Sequence, residues 1–89
     1  MKIIFSPTAM EHFEFWKKTS PKVAGRIKVL LKDIGEHPFS GIGKPEPLKG
    51  NLQGIWSRRI TSEHRLLYEV KGDDIIVHVL SMKYHYRQQ

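Results

Sequence analysis

Two serine–proline pairs, Ser6-Pro7 and Ser20-Pro21, lie close together near the start of the chain. Serine supplies an oxygen that caps a helix, and proline suits the first helical position, so each pair predicts the start of an α-helix. The short interval between them predicts two helices that fold back on one another as a hairpin. This feature constrains the fold most, because the hairpin must bury its apolar stripes against something else.

The apolar residues of both segments follow helical spacing. In the first segment Ala9, Phe13 and Trp16 are four and three residues apart, and Phe13 and Trp16 are therefore interpreted as core rather than as platforms for stacking bases. The second segment carries a longer stripe: Val23, Ile27, Leu30, Leu31 and Ile34. Gly35 predicts its end.

Residues 38–54 are rich in proline and glycine, which predicts a long irregular loop. Loops of such length tend to be functional or disordered. The prolines on either side of Glu46 favour a held, extended conformation around that carboxylate. Leu48 and Leu52 are candidates to tether the loop to the core.

After Gly54 the pattern changes to alternation, which is typical of strands. Trp56, Arg58 and Ile60 would share one face, as would Leu66, Tyr68 and Val70 of residues 65–70, and 71–74 reads as a hairpin turn. Residues 75–82 form an apolar strand interrupted by His78, and 2–5 are a fourth candidate. The predicted fold class is α+β: an N-terminal strand, a two-helix hairpin, then a mostly antiparallel sheet with the helices packed on one face.

The length of 89 residues predicts one domain, spanning 1–89. The absence of cysteine excludes disulfides, thiolate metal sites and a cysteine nucleophile. The N-terminal apolar run, Ile3-Ile4-Phe5, is too short for a signal peptide or a membrane span, so a cytoplasmic location is expected. Fifteen Lys and Arg against nine Asp and Glu give a net charge of +6, which favours a polyanionic partner over a basic domain without one.

A carboxylate, a histidine and several cations are the groups needed to cleave RNA by attack of its own 2′-hydroxyl. Glu46 is a candidate base, His85 a candidate acid and Arg65 a candidate phosphate clamp. Each has a competing interpretation: Glu46 as a solvated loop residue, Arg65 as the partner of Glu63 or Glu69, and His85 as an exposed residue near the terminus.

Other candidate residues are less specific. The remaining histidines show no pair four apart on a helix, so no metal site is expected. Trp56 lies beside Arg58 and Arg59, an aromatic–basic pattern that suits either single-stranded RNA or a core position. Tyr84 and Tyr86, which flank His85, allow the same two interpretations.

Several motifs resemble the YoeB toxins, the Txe/YoeB family within the RelE superfamily, along the whole chain. The most specific are Lys44-Pro45-Glu46-Pro47-Leu48-Lys49, Trp56-Ser57-Arg58-Arg59-Ile60, Glu63-His64-Arg65-Leu66 and Tyr84-His85-Tyr86. The resemblance implies a RelE-like microbial RNase fold and a compact RNase that cleaves mRNA in the ribosomal A site and arrests translation, without a metal or other cofactor. It also implies a YefM-type antitoxin as partner, and a homodimer, since the family is known to dimerise.

Position by position, the resemblance implies that Glu46 is the general base, Arg65 the phosphate-binding arginine and His85 the general acid. It implies supporting or RNA-binding roles for Lys49, Arg59, Glu63 and Tyr86. One departure is the tail 87–89, Arg-Gln-Gln, because family members commonly end at or near the His-Tyr pair. The alternative function is a non-catalytic module on the same fold that binds the ribosome or nucleic acid. A relative that acts on a topoisomerase is disfavoured, because Glu46, Arg65 and His85 are all present.

Overall fold

The structure, a computed structural model, describes residues 2–80 of the chain. Its helices and strands follow in this order: β1 (Lys2–Phe5), α1 (Pro7–Thr19), α2 (Pro21–Glu36), β2 (Glu46–Pro47), a short 3-10 helix (Gly50–Leu52), β3 (Trp56–Arg59), β4 (Arg65–Lys71) and β5 (Asp74–Val79). The two helices precede most of the sheet, so the predicted α+β order is confirmed.

The strands form a mixed sheet in the order β1-β5-β4-β3-β2. β1 runs parallel to β5, whereas the β2–β3, β3–β4 and β4–β5 pairs are antiparallel. The two-residue strand β2 was not predicted, since it lies in the proline- and glycine-rich segment. β2 forms because it pairs with β3, since a run of two residues has no tendency of its own to form a strand.

Both serine caps form as predicted and begin the helices of the hairpin. The Ser6 hydroxyl accepts from the Ala9 N–H at 3.0 Å and donates to the His78 carbonyl at 2.9 Å, which ties α1 to β5. The Ser20 hydroxyl accepts from the Val23 N–H at 3.4 Å. The predicted end of α2 at Gly35 is wrong by one residue, because the helix continues to Glu36 and the His37 N–H bonds to the Asp33 carbonyl.

The helices cover one face of the sheet and form the main core there. This core includes Trp16, as predicted, together with the following buried residues: Ala9, Ala24, Ile27, Leu30, Ile34, Ile60, Leu66, Tyr68, Ile75, Val77 and Leu80. Phe13 packs against it at partial burial. Burying this apolar surface supplies most of the driving force for folding.

The opposite face of the sheet, which we call the open face, carries a different set of side chains. Strand alternation places Ser57, Arg59, Arg65 and Leu67 on it, opposite the core residues Leu66 and Tyr68. Leu48 and Leu67 are buried, yet they do not belong to the core beneath the helices. Among residues 2–80, neither helix is long and apolar enough to cross a membrane.

Candidate active site

The pairing of β2, β3 and β4 brings three of the candidate residues to the open face. Glu46 lies opposite Ser57, and Arg59 lies opposite Arg65. Directly opposed residues of antiparallel strands point to the same face, and so do residues two apart along one strand. Glu46, Arg59 and Arg65 therefore share the open face.

The spacing of the sheet sets the distance between the carboxylate and the buried arginine. Glu46 and Arg65 are on strands separated by β3, which corresponds to about 10 Å across the sheet, and they are offset by about 7 Å along it. Their Cα atoms are thus roughly 12 Å apart by this geometry. This spacing leaves room for a phosphodiester between the carboxylate and the guanidinium.

Arg65 is held as a rigid part of the turn between β3 and β4. It is only 6% exposed, and its Nη1 donates to the carbonyls of Thr61, Ser62 and His64 at 3.0, 3.4 and 3.1 Å. Among residues 2–80 no carboxylate pairs with it: Glu69 binds His78 instead, at 2.7 Å. The alternative interpretation of Arg65 as an ordinary surface residue paired with Glu63 or Glu69 is therefore wrong.

The opposition of Arg59 and Arg65 is electrostatically unfavourable for an empty sheet. Like charges directly across an antiparallel pair destabilise it, and burial of Arg65 increases the penalty. An anion placed over the pair would relieve the repulsion, and arginine binds phosphate oxygens in a two-pronged geometry. The arrangement is suited to a phosphate group on the open face.

Two of the predicted supporting residues, Glu63 and Lys49, lie in the segments that flank β3. Glu63 is exposed in the turn that Arg65 grips, with its N–H bonded to the Thr61 hydroxyl at 3.2 Å. Lys49 is exposed in the segment after β2, where its carbonyl accepts from the Leu52 N–H. His85 and Tyr86, together with Tyr84 and residues 87–89, lie outside the described residues.

Arg58 has a different role from its neighbour Arg59. It is 0% exposed on the helix-covered face, where it binds Asp33, Tyr68 and three carbonyls, so it does not belong to the open face. Trp56 lies on the same side, partly buried against the core and in contact with the Phe39 ring at 5.0 Å. The core interpretation of Trp56 is thus the better one. The alternation of Trp56, Arg58 and Ile60 is the sequence signal that separates Arg58 from Arg59.

Two shifted pKa values belong to this buried group. The hydrogen bond from Arg58 holds the pKa of the Asp33 carboxyl below its ordinary value, and the Ile42 N–H adds to the effect. Burial raises the pKa of the Tyr68 hydroxyl, against an opposing effect of the Arg58 hydrogen bond. Both shifts favour one fixed state: an ionised Asp33 beside a neutral Tyr68.

One group of potential metal ligands occurs within the described part of the chain, at the end of α2. Ligand atoms of Asp33, Glu36 and His37 lie within 4.8 Å of one another. Asp33 is already bound by Arg58, on the face of the sheet opposite to Glu46 and Arg65. The group is therefore separate from the candidate active site.

Comparison with known proteins identifies the family. A family model described as YoeB-like toxin of bacterial type II toxin-antitoxin system matches residues 5–86. The chain is 45% identical to Toxin YoeB of Escherichia coli K12 over 86 residues, which covers 97% of this chain and 100% of that protein. It is 51% identical to Toxin RelK of Mycobacterium tuberculosis over 82 residues, covering 92% and 94%.

Comparison with solved structures supports the same family. A YoeB/ParE toxin from Agrobacterium tumefaciens superposes with a TM-score of 0.91 at 40% identity, covering 97% of this chain and 100% of that one. YoeB of Staphylococcus aureus, 44% identical, superposes with TM-scores of 0.87 as a dimer and 0.85 in a heterotetrameric complex with YefM, covering 97% and 98% in each case. With the order of strands, the shared open face and the full-length match, this chain belongs to the YoeB-like toxins of bacterial type II toxin-antitoxin systems.

Proposed function

We propose that residues 1–89 act as one ribosome-dependent mRNA endoribonuclease domain, which cuts mRNA in the A site and thereby inhibits translation. The observation that carries the proposal is the open face itself: an exposed carboxylate on β2 and two opposed arginines on β3 and β4, one of them buried. Membership of the YoeB-like toxins supports it. The ribosome as the site of action implies a cytoplasmic location.

The proposed reaction needs a base, an acid and cations. The Glu46 carboxylate takes the proton of the 2′-hydroxyl, whose oxygen then attacks the adjacent phosphorus. Arg65, with Arg59 beside it, stabilises the charge that develops on the phosphoryl oxygens. His85 gives a proton to the departing 5′-oxygen as the phosphorus–5′-oxygen bond breaks. The products are a 2′,3′-cyclic phosphate and a 5′-hydroxyl, and opening of the ring by water gives the 3′-phosphate.

The rigidity of Arg65 is what makes the phosphate contact useful for catalysis. Because carbonyls of the 61–64 turn hold its Nη1, the guanidinium does not have to be ordered when the substrate arrives. Preorganised charges stabilise a transition state without a reorganisation cost. Lys49, Glu63 and Tyr86 are proposed to support this site by binding RNA or by orienting its main groups.

We propose two protein partners from the same family relationship. Staphylococcus aureus YoeB is solved as a dimer and in complex with YefM, so a YefM-type antitoxin and a homodimer are the partners proposed for this chain. The net charge of +6 favours an acidic antitoxin segment by charge complementarity.

Primer extension on mRNA after induced expression tests the activity. The parent chain should produce new 5′ ends within codons, and Glu46→Ala, Arg65→Ala and His85→Ala should each remove them and relieve growth arrest. The matched controls Glu14→Ala, Lys28→Ala and His37→Ala change exposed residues of the helical side and should cut like the parent. Arrest by the parent with intact mRNA would instead support the alternative, a non-catalytic module that occupies the ribosome.

A further inference from the structure

We propose that Arg58, bound to Asp33 and Tyr68, is a positioning residue that sets where Glu46 stands relative to Arg65. This inference rests on the proposed endoribonuclease function and adds a group that does not touch RNA. It follows from the partners of Arg58, from the shape of the segment that leads into β2 and from the shortness of β2 itself.

All five N–H groups of the Arg58 guanidinium are bound. Nε donates to the Tyr68 hydroxyl at 3.3 Å, and Nη1 donates to the Asp33 carboxylate at 2.5 Å and to the Ile42 carbonyl at 3.0 Å. Nη2 donates to the carbonyls of His37 and Ser40 at 2.5 and 2.7 Å. A fully bound guanidinium tolerates complete burial, whereas an incompletely bound one would be costly.

Four of these five acceptors belong to residues 33–42, the end of α2 and the segment that follows it. The fifth, the Tyr68 hydroxyl, itself donates to the Pro38 carbonyl at 2.5 Å. The side chain of Arg58 therefore ties one short stretch of chain to the sheet, and Tyr68 on β4 adds a second tie to the same stretch.

The tied stretch leads directly to the proposed base. The Gly43 carbonyl accepts from the Arg59 N–H at 2.7 Å, and Glu46 then pairs with Ser57. The backbones of Ser57 and Arg59 thus bind the segment 43–46, while the side chain of Arg58 binds the residues just before it. Since β2 has only two residues, its own ladder is too short to define the position of Glu46.

Two glycines show how closely the segment is fitted to this group. Gly41 has φ +114°, and a Cβ there would overlap with the Asp33 carboxylate. Gly43 has φ +80°, and a Cβ there would come within 2.8 Å of the Leu30 side chain. Both values of φ lie in the region that favours glycine. The chain can approach Asp33 and β3 only because these positions lack side chains.

A role in positioning explains the pairing of a buried arginine with the partly buried Asp33 better than stability alone does. Buried ion pairs are weak sources of stability, and apolar residues of similar volume often do as well. Apolar residues cannot, however, fix the positions of four oxygen atoms, whereas Arg58 binds the Asp33 carboxylate and three carbonyls. A displacement of about 1 Å in a reacting group can lower the rate by about a hundredfold, so the position of Glu46 has a large effect on catalysis.

The test measures single-turnover cleavage of ribosome-bound mRNA by Arg58→Lys, which keeps the charge but has three donors in place of five. We expect the folded variant to cleave at least thirtyfold more slowly, with unchanged affinity for ribosomes, because Arg58 does not contact RNA. Ile75→Ala is the control for stability: it removes a fully buried core side chain of β5, and its folded fraction should cleave at the parent rate.

A second pair of variants covers the case in which Arg58→Lys does not fold. Gly41→Ala, which forces a side chain against Asp33, should slow cleavage strongly, whereas Gly72→Ala, with φ +61° but nothing within 4 Å of its Cβ, should not. Cleavage by folded Arg58→Lys within threefold of the parent, an equal loss in Ile75→Ala, or equal rates for the two glycine variants would each overturn the positioning role. An inactive parent, or an active Glu46→Ala, would overturn the proposed function instead.

Discussion

Removal of one hydroxyl, by Tyr68→Phe, should destabilise the fold far more than a single oxygen atom suggests. The hydroxyl donates to the Pro38 carbonyl at 2.5 Å and accepts from Arg58 Nε at 3.3 Å, and the side chain is 0% exposed. Phenylalanine keeps the ring and its apolar contacts. The change therefore isolates these two hydrogen bonds.

The magnitude follows from what each partner loses. Arg58 Nε would remain buried with no acceptor, which costs about 1–3 kcal/mol, and the bond to the Pro38 carbonyl contributes about 1 kcal/mol. The expected loss in free energy of unfolding is about 2–4 kcal/mol in total. For a domain of this size each kcal/mol lowers the melting temperature by about 4–8 °C, so the shift should be at least about 8 °C.

Urea denaturation followed by circular dichroism measures this free energy directly. The midpoint should fall while the slope m stays constant, since the surface exposed on unfolding does not change. Ser62→Ala removes a hydroxyl at an exposed position of the 60–64 turn and should change stability by less than about 0.5 kcal/mol. If Tyr68→Phe lowered the free energy of unfolding no more than Ser62→Ala, the reasoning would be refuted, because the two hydrogen bonds of the Tyr68 hydroxyl would then contribute nothing to stability.

Three further predictions concern pH and helix capping. Because the folded-state pKa of Asp33 is lowered from 3.8, its contribution to stability is complete above that value and is lost as the pH falls through the lowered pKa; acid titration of unfolding should show this loss, and Asp33→Asn should flatten it. The pKa of Tyr68 is raised from 10.0, so its contribution is complete below pH 10.0 and is lost as the pH rises through the raised value; Tyr68→Phe should flatten the alkaline limb, and an unchanged limb would contradict the assignment. Ser6→Ala should cost more than Ser20→Ala, about 1–2 kcal/mol against about 0.5–1, because the Ser6 hydroxyl also donates to the His78 carbonyl, and equal losses by thermal denaturation would exclude that extra bond.

The helix hairpin and the strand faces could be predicted from the sequence because their signals are local. A serine cap, a proline after it and apolar residues at helical spacing act within a few residues of one another, so α1 and α2 were expected where they occur. Alternation in β4 likewise separated Leu66 and Tyr68 from Arg65 and Leu67. The motifs along the chain, from 44–49 to 84–86, indicated the family, which full-length relatives confirm.

The pairing of β2 and the burial of Arg58 could not be predicted, because each depends on residues distant in the chain. β2 exists only because β3 accepts it, and Arg58 is bound by Tyr68 and by residues 33–42 only once the sheet and α2 pack together. Alternation in the sequence separates Arg58 from Arg59, but it does not show which of the two faces the helices cover.

The sequence by itself determined the class of fold, the helix hairpin, the family and the residue types that the proposed chemistry needs. Those properties follow from local propensities and from sequence motifs, which can be interpreted without knowledge of tertiary contacts. Only the tertiary structure decided that Arg58 faces the core, that Arg59 opposes Arg65 and that Glu46 shares their face. The physical reason is that strand register and the burial of charge are set by partners far along the chain, so a side chain acquires its role only when those partners meet it.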